Sequence, residues 1–187
     1  MQVKIRHGIE GAELAVSSKE SIIIVDTIRA STTYVNAFAS GAVRIVPCSS
    51  REHLDKNMKN YPDALKSGER LCRKIEGYDL GSSPEEMSNA DLTGKTILSS
   101  TTNGSKMVVA SSASPLVIMG SFCNSNAVVE FMKKRLTDVS IVCSGRLGEE
   151  VIEDNLCAEY LKHKFNSNSK HFRLNPSEIS DECKKSP

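Results

Sequence analysis

Four short segments of this 187-residue chain place acids, hydroxyls and guanidinium groups directly after runs of apolar residues. They read IIIVDTIRASTT (Ile22–Thr33), TILSSTTNGS (Thr96–Ser105), VIMGSFCNSNA (Val117–Ala127) and IVCSGRLGEEVIEDN (Ile141–Asn155). In the first, Asp26 ends the apolar run, Arg29 lies three residues on, and Ser31, Thr32 and Thr33 follow. A carboxylate so placed can hold Mg²⁺, which takes oxygen ligands and often bridges to a substrate phosphate. A guanidinium matches phosphate with two parallel N–H donors. The plainer alternative is an Asp–Arg ion pair beside an ordinary hydroxyl helix cap. In the second segment, Thr101, Thr102, Asn103 and Ser105 surround Gly104, a glycine that lets backbone approach a ligand. Asn-Gly is also a common turn pair, but the density of hydroxyls favours ligand contact. No G-x-x-x-x-G-K-[ST] is present, so this is not a Walker loop. The last segment supplies Glu153 and Asp154, neighbours that can face one ligand only near a helix end. Acids in a first helical turn also favour the helix dipole, which accounts for Glu149 and Glu150 without a ligand.

These residues need elements to hold them. Strands are expected at Val3–Arg6, Ser21–Val25, Val43–Pro47, Thr96–Ser99, Leu116–Gly120 and Val139–Cys143, and helices at Thr32–Ala39, Arg51–Asn60, Glu85–Asn89, Lys106–Ser111, Ala127–Leu136 and Val151–Lys164. Short bare apolar runs suit strands buried on both faces, and the alternation predicts a three-layer α/β/α fold around a mostly parallel or mixed central sheet. In such sheets ligands bind outside the carboxyl ends of the strands, where helix N-termini offer N–H groups to anions. Ser83-Pro84-Glu85-Glu86 reads as a helix start, with serine as cap and proline in the first turn. Residues 1–165 are expected to form a single domain, and residues 166–187 a polar C-terminal tail, peripheral or partly disordered.

Composition narrows the function classes. Hydrophobic content of 39% and charged content of 25% are those of a globular chain. A net charge of +1, with both signs mixed, argues against a dedicated nucleic-acid binder. No apolar run approaches the ~20 residues of a membrane helix, and no export signal is visible. Cys48, Cys72, Cys123, Cys143, Cys157 and Cys183 form no C-x-x-C pair, which makes a zinc cluster improbable. A reduced, cytoplasmic protein is expected. A homodimer stays open.

Taken in order, the segments resemble the signature blocks of the 2-phosphosulfolactate phosphatase family. V-D-T-I-R-A-S-T-T (Val25–Thr33) is similar to its V-D-V-x-R-A-T-T-T, and G-E-R (Gly68–Arg70) to its G-E-R. E-G-Y-D-L-G-S-S-P (Glu76–Pro84) is similar to E-G-F-D-L-G-N-S-P, and S-T-T-N-G-S (Ser100–Ser105) to T-T-N-G-T. G-S-F-C-N-S-N-A-V (Gly120–Val128), V-C-S-G-R (Val142–Arg146) and E-D-N-L-C-A-E (Glu153–Glu159) resemble G-S-F-x-N-A-x-A-V, C-A-G-T and E-D-x-x-C-A-G. The chain departs at Ser82, Arg146 and Glu159, where the blocks carry asparagine, threonine and glycine.

The resemblance implies a Mg²⁺-dependent hydrolysis of phosphosulfolactate to sulfolactate and phosphate, a step toward coenzyme M. It points to a small phosphorylated sulfonate or carboxylate as substrate. Carried over by position, it makes Asp26, Glu69, Asp79, Glu153 and Asp154 candidate metal ligands or acid–base groups. Asp26, Glu153 and Asp154 are the catalytic candidates, and Asp26, Glu69, Asp79 and Asp154 the metal candidates. Arg29, Arg70, Thr101, Thr102, Asn103, Gly104 and Asn124 become candidate substrate binders.

Other phosphatase chemistries fit less well. Arg6-His7-Gly8 matches the histidine-nucleophile motif in three residues, but a strand-to-turn junction explains it. A haloacid-dehalogenase-type site needs a second aspartate where Ile28 stands, and Cys143 and Arg146 lack the spacing of a thiol phosphatase. A non-catalytic anion or metabolite binder on the same scaffold is the alternative from another class. It would gain nothing from converging carboxylates, whereas metal-assisted hydrolysis needs them.

Overall fold

The computed structural model describes residues 1–166 and 172–185. The first half of the chain runs β1 (Val3–His7), α1 (Gly8–Ser17), β2 (Ser21–Val25), α2 (Ala30–Ala39), β3 (Arg44–Pro47), α3 (Arg51–Asn57), β4 (Leu65–Arg70), β5 (Arg73–Lys74) and α4 (Pro84–Asn89). The second half runs β6 (Thr96–Ser100), α5 (Gly104–Ala110), β7 (Val117–Gly120), α6 (Ser125–Lys133), β8 (Val139–Cys143), α7 (Ile152–Asn166) and α8 (Pro176–Cys183). The strands divide between two four-stranded sheets, ordered β1-β8-β2-β7 and β3-β6-β4-β5. Every ladder is parallel except the β4–β5 pair.

The first sheet is three-layered for a reason visible in its residues. All five residues of β2 and all five of β8 are buried. Side chains alternate between the faces of a strand. Ile23 and Val25 therefore pack with Val128, Met132, Cys157 and Leu161 of α6 and α7. Ile22 and Ile24 pack with Ala12, Ala15 and Met107 of α1 and α5. The second sheet is covered by α3, whose Leu54 meets Leu98, and by Ala37 of α2 and Met87 of α4, which cluster around Ile97. Helices α2 and α5 occupy the seam: α5 touches both β2 and β3, while α2 touches β7 and α4.

The α/β class and parallel pairing follow the expectation, and the division into two sheets is new. Strand β4 escapes sequence reading because LKSGER is polar, yet its Ser67, Gly68 and Glu69 are buried beside β6. Helix α1 escapes because two glycines dilute its pattern and no side chain caps it. The expected tail falls partly on residues 167–171 and 186–187, which lie outside the described residues. Its described part includes α8, closed by a capping box between Asn175 and Glu178. Among the described residues no helix is long and apolar enough to cross a membrane.

A buried ion cluster fastens the amino ends of β2 and β8. Glu20 accepts from Lys4 Nζ at 2.6 Å, from Arg6 Nη2 at 3.0 Å and from the Ser140 hydroxyl. Burial alone would raise its pKa, but the bonds from Lys4, Ser140 and Arg6 outweigh that and bring it down to about 2. A depressed carboxylate stabilises the fold above its unfolded pKa and loses that contribution as pH falls through the folded one. Glu20→Gln is therefore expected to cost about 2 kcal/mol at neutral pH. In urea titrations the gap to the parent should close as pH drops from 4.5 toward 2. A pH-independent gap would assign the loss to packing.

Candidate active site

The carboxyl ends of the two sheets meet around a cavity of about 140 Å³. Asp26 enters from the end of β2, and Gly145 and Arg146 from the end of β8. Glu153 and Asp154 come from the first turn of α7, Glu69 from β4, and Thr101, Thr102 and Asn103 from the β6–α5 turn. Ile28, Arg29, Leu71, Cys72 and Ser82 complete much of the wall. Chain segments up to 128 residues apart, Asp26 to Asp154, thus share one small space.

Three of the four acids accept from backbone N–H groups, and Asp154 and Glu69 reach loops other than their own. Asp154 Oδ1 accepts from Thr27 N at 2.7 Å, and its Oδ2 from Gly145 N at 3.0 Å and the Ser144 hydroxyl at 3.3 Å. Glu69 Oε1 accepts from Thr102 N at 2.7 Å and its Oε2 from Cys72 N at 2.9 Å. Asp26 Oδ1 accepts from Ala30 N at 3.1 Å, the first residue of α2. Asn103 Nδ2 donates to Gly145 O at 3.0 Å and so joins the loops of the two sheets. Glu153 differs. It is buried, lines the cavity, and its Oε2 has no hydrogen-bond partner. Thr102 Oγ1 is likewise enclosed and unpartnered.

The charges strain the site. Burial pushes the Asp26 carboxyl above the usual carboxylate range, and the nearby Glu69 charge adds to the rise. Burial, then the charge of Asp26, raises Asp154 to about 7. Like charges held out of water favour uptake of a proton or a cation. Among the described residues no three His, Cys, Asp or Glu side chains converge as a ready-made metal cage.

A buried hydroxyl cluster braces the turn that carries Thr101. Tyr34 OH on α2 lies 3.0 Å from Ser99 Oγ and 3.1 Å from Ser105 Oγ. Ser105 Oγ in turn accepts from Thr101 N at 2.9 Å, and Ser105 N donates to Thr101 Oγ1 at 2.9 Å. Arg29 holds the Cys72 carbonyl through one long bond of 3.3 Å.

Of the residues singled out from sequence, Asp26, Arg29, Glu69, Thr101, Thr102, Asn103, Glu153 and Asp154 meet at the cavity. Gly104 backs Asp26 at the start of α5. The other three do not line it. Arg70 binds Ser100 O and Oγ at 2.9 Å each, and Asp79 accepts from Lys66 N at 2.7 Å. Asn124 secures its own turn, accepting from Ser121 N at 2.8 Å and donating to Met119 O at 3.0 Å. Ser144 and Gly145 are not among the candidates, and Ser82 enters from sequence only as a departure from the family block. Ser144 and Gly145 follow β8 directly, so the strand-end rule that picked out Asp26 would have found them.

Fold and cavity together define an α/β protein with an acid-lined pocket at the carboxyl ends of parallel strands. The family model for 2-phosphosulpholactate phosphatase matches residues 9–185, and the chain belongs to that family. It is 35% identical over 143 residues to a probable 2-phosphosulfolactate phosphatase of Clostridium acetobutylicum, covering 76% of this chain and 61% of the relative. A protein of the same description from Caldanaerobacter subterraneus is 34% identical over 151 residues, covering 80% of this chain and 63% of the relative. A third, from Thermotoga petrophila, is 38% identical over 136 residues, covering 73% and 58%. The match thus spans about six-tenths of the length of these relatives.

Proposed function

We propose that this chain is a Mg²⁺-dependent phosphatase that hydrolyses 2-phosphosulfolactate, or a similar small acidic phosphate ester, to the alcohol and inorganic phosphate. The observation that carries this reading is the unpaired Oε2 of buried Glu153, in a cavity whose Asp26 and Asp154 are both raised. A site built only to bind an anion has no use for such acids. The donor set fits a hard cation, since Mg²⁺ commonly takes one or two carboxylates and completes its shell with water and phosphate oxygens. Asp26 and Asp154 would supply those one or two carboxylates, and bound Mg²⁺ would polarise the phosphoryl oxygens.

The remaining work falls to the chain. Arg29 can exchange its single long bond to the Cys72 carbonyl for a bidentate grip on phosphate. The Thr102 hydroxyl supplies a donor with no competing partner. Glu153 Oε2 accepts the proton of the water that attacks phosphorus. Asp154 ties the Thr27 and Gly145 loops together through their backbone N–H groups, and the buried walls limit water around the reacting group.

Phosphate release from phosphosulfolactate, measured with Mg²⁺ and again after EDTA, tests this directly. Metal-dependent release is expected. No release from this or related phosphorylated acids would leave only the anion binder. Glu153→Gln should lower turnover by about 10²–10³-fold with little change in unfolding temperature, because its Oε2 contributes no internal bond. Unaltered turnover would remove Glu153 from the reaction.

A further inference from the structure

Ser82 belongs to the segment between β5 and α4, which neither the strand-end pattern nor the acid cluster brings forward. It lines the cavity and is 4% exposed. The main chain of Gly81 and Ser82 is held by three hydrogen bonds. Ser82 O accepts from Thr33 Oγ1 at 2.9 Å, and the same hydroxyl reaches Arg29 O at 2.9 Å, so Ser82 is tied to the backbone of Arg29. Next to it, Gly81 N donates to Glu86 Oε2 at 2.8 Å and Gly81 O accepts from Ser67 Oγ at 2.6 Å.

The side chain is treated differently from the backbone. The Ser82 hydroxyl makes no hydrogen bond to any described residue and stays accessible from the cavity, although the residue as a whole is more than nine-tenths buried. Buried polar atoms are almost always paired in folded proteins, and the exceptions call for a ligand, an ion or a water. Glu153 Oε2 and Thr102 Oγ1 are two more unpaired atoms on the same cavity. Two enclosed unpaired atoms and one cavity-facing hydroxyl without a protein partner, from three separate segments, suit a ligand that brings the missing partners.

We infer that Ser82 is a further ligand-binding residue, whose hydroxyl donates to an anionic oxygen of the bound phosphate ester beside Arg29. This rests on the phosphatase reading and extends it to a residue outside the acid and Thr-Thr-Asn segments. A hydroxyl suits this role, since its one proton can turn to the anion while its rigid backbone keeps the donor in place. It also explains how a residue shorter than the asparagine of the family block can serve at position 82, because the loop is anchored by its main chain and not by that side chain.

The test is a titration of the protein with inorganic phosphate in the presence of Mg²⁺, followed by ³¹P nuclear magnetic resonance, together with thermal unfolding. Ser82→Ala and the near-isosteric Ser82→Cys should each weaken phosphate binding about tenfold, with unfolding temperatures within about 2 °C of the parent. If the parent binds phosphate and both variants bind it equally well, the inference falls and the phosphatase reading stands. A lowered unfolding temperature with unchanged affinity would make Ser82 a packing residue and overturn the inference as well. A parent that binds no phosphate overturns both readings together.

Discussion

Asp26→Asn is expected to unfold at a higher temperature than the parent while releasing phosphate at least about 10³-fold more slowly. The two effects have one cause. Asp26 is buried where desolvation and the charge of Glu69 oppose its ionisation, so its pKa is raised above the ordinary 3.8. A carboxyl with a raised folded pKa favours the fold below its unfolded value and costs stability as pH climbs through the folded one. Asparagine keeps the shape and removes the charge. Its Oδ1 can still accept from Ala30 N, and its new N–H groups can use the Ser144 hydroxyl, which already bonds the carboxylate. A gain of roughly 1 kcal/mol, about 3 °C for a chain of this size, is the expected scale. The advantage should fade as pH falls below the ordinary 3.8, where the parent carboxyl becomes protonated in both states. Earlier unfolding at neutral pH would show that the carboxylate stabilises the fold, and full turnover would exclude Asp26 from the reaction.

Gly104→Ala should have the opposite effect on stability and the same effect on function. A Cβ at this position would lie 2.5 Å from Ala30 Cβ and 2.6 Å from Asp26 Oδ2. Neither neighbour is the loose end of a long side chain, so α5 must back away from α2. Glycine-to-alanine exchange in a helix normally gains about 0.4–1 kcal/mol. Overpacking costs about 1–3 kcal/mol, so the clash wins. The retreat of α5 carries the Thr101–Asn103 turn with it and should weaken phosphate binding at least about tenfold. Ala30→Gly in the same chain should restore part of the loss, since it clears one of the two contacts; additive effects of the pair would refute the steric account.

How far these sites could be read from sequence depends on what each residue is asked to do. Strands β2 and β8 were legible to the residue, Ser21–Val25 and Val139–Cys143, because burial on both faces forces unbroken apolar runs. The start of α4 was equally plain: Ser83 Oγ accepts from Glu86 N at 3.4 Å, with Pro84 in the first turn. Strand β4 was hidden because its buried atoms are polar and satisfied by neighbours, and its Gly68 is dictated by the Ser100 carbonyl beside it. Within the site, the rule that ligands gather at strand ends found Asp26 and the Thr101–Asn103 turn, while the family resemblance picked out Glu69 and the α7 acids. The residues alone could not show that Glu69 occupies both oxygens as a tie between loops. Nor could they show that Asp79 and Asn124 serve their own turns, because residue type does not reveal which partner a side chain selects.

Strand β2 has Glu20 just before its first residue and Asp26 just after its last. Six residue steps at ~3.3 Å each separate these poles by about 20 Å. At one pole a carboxylate is stabilised by cations; at the other a carboxylate is crowded by its own kind. Anchoring and reactivity are therefore divided along a single strand, and changes at the two poles are expected to act independently. Such a scaffold can vary the groups at its reactive pole while the anchored pole keeps the sheet in register.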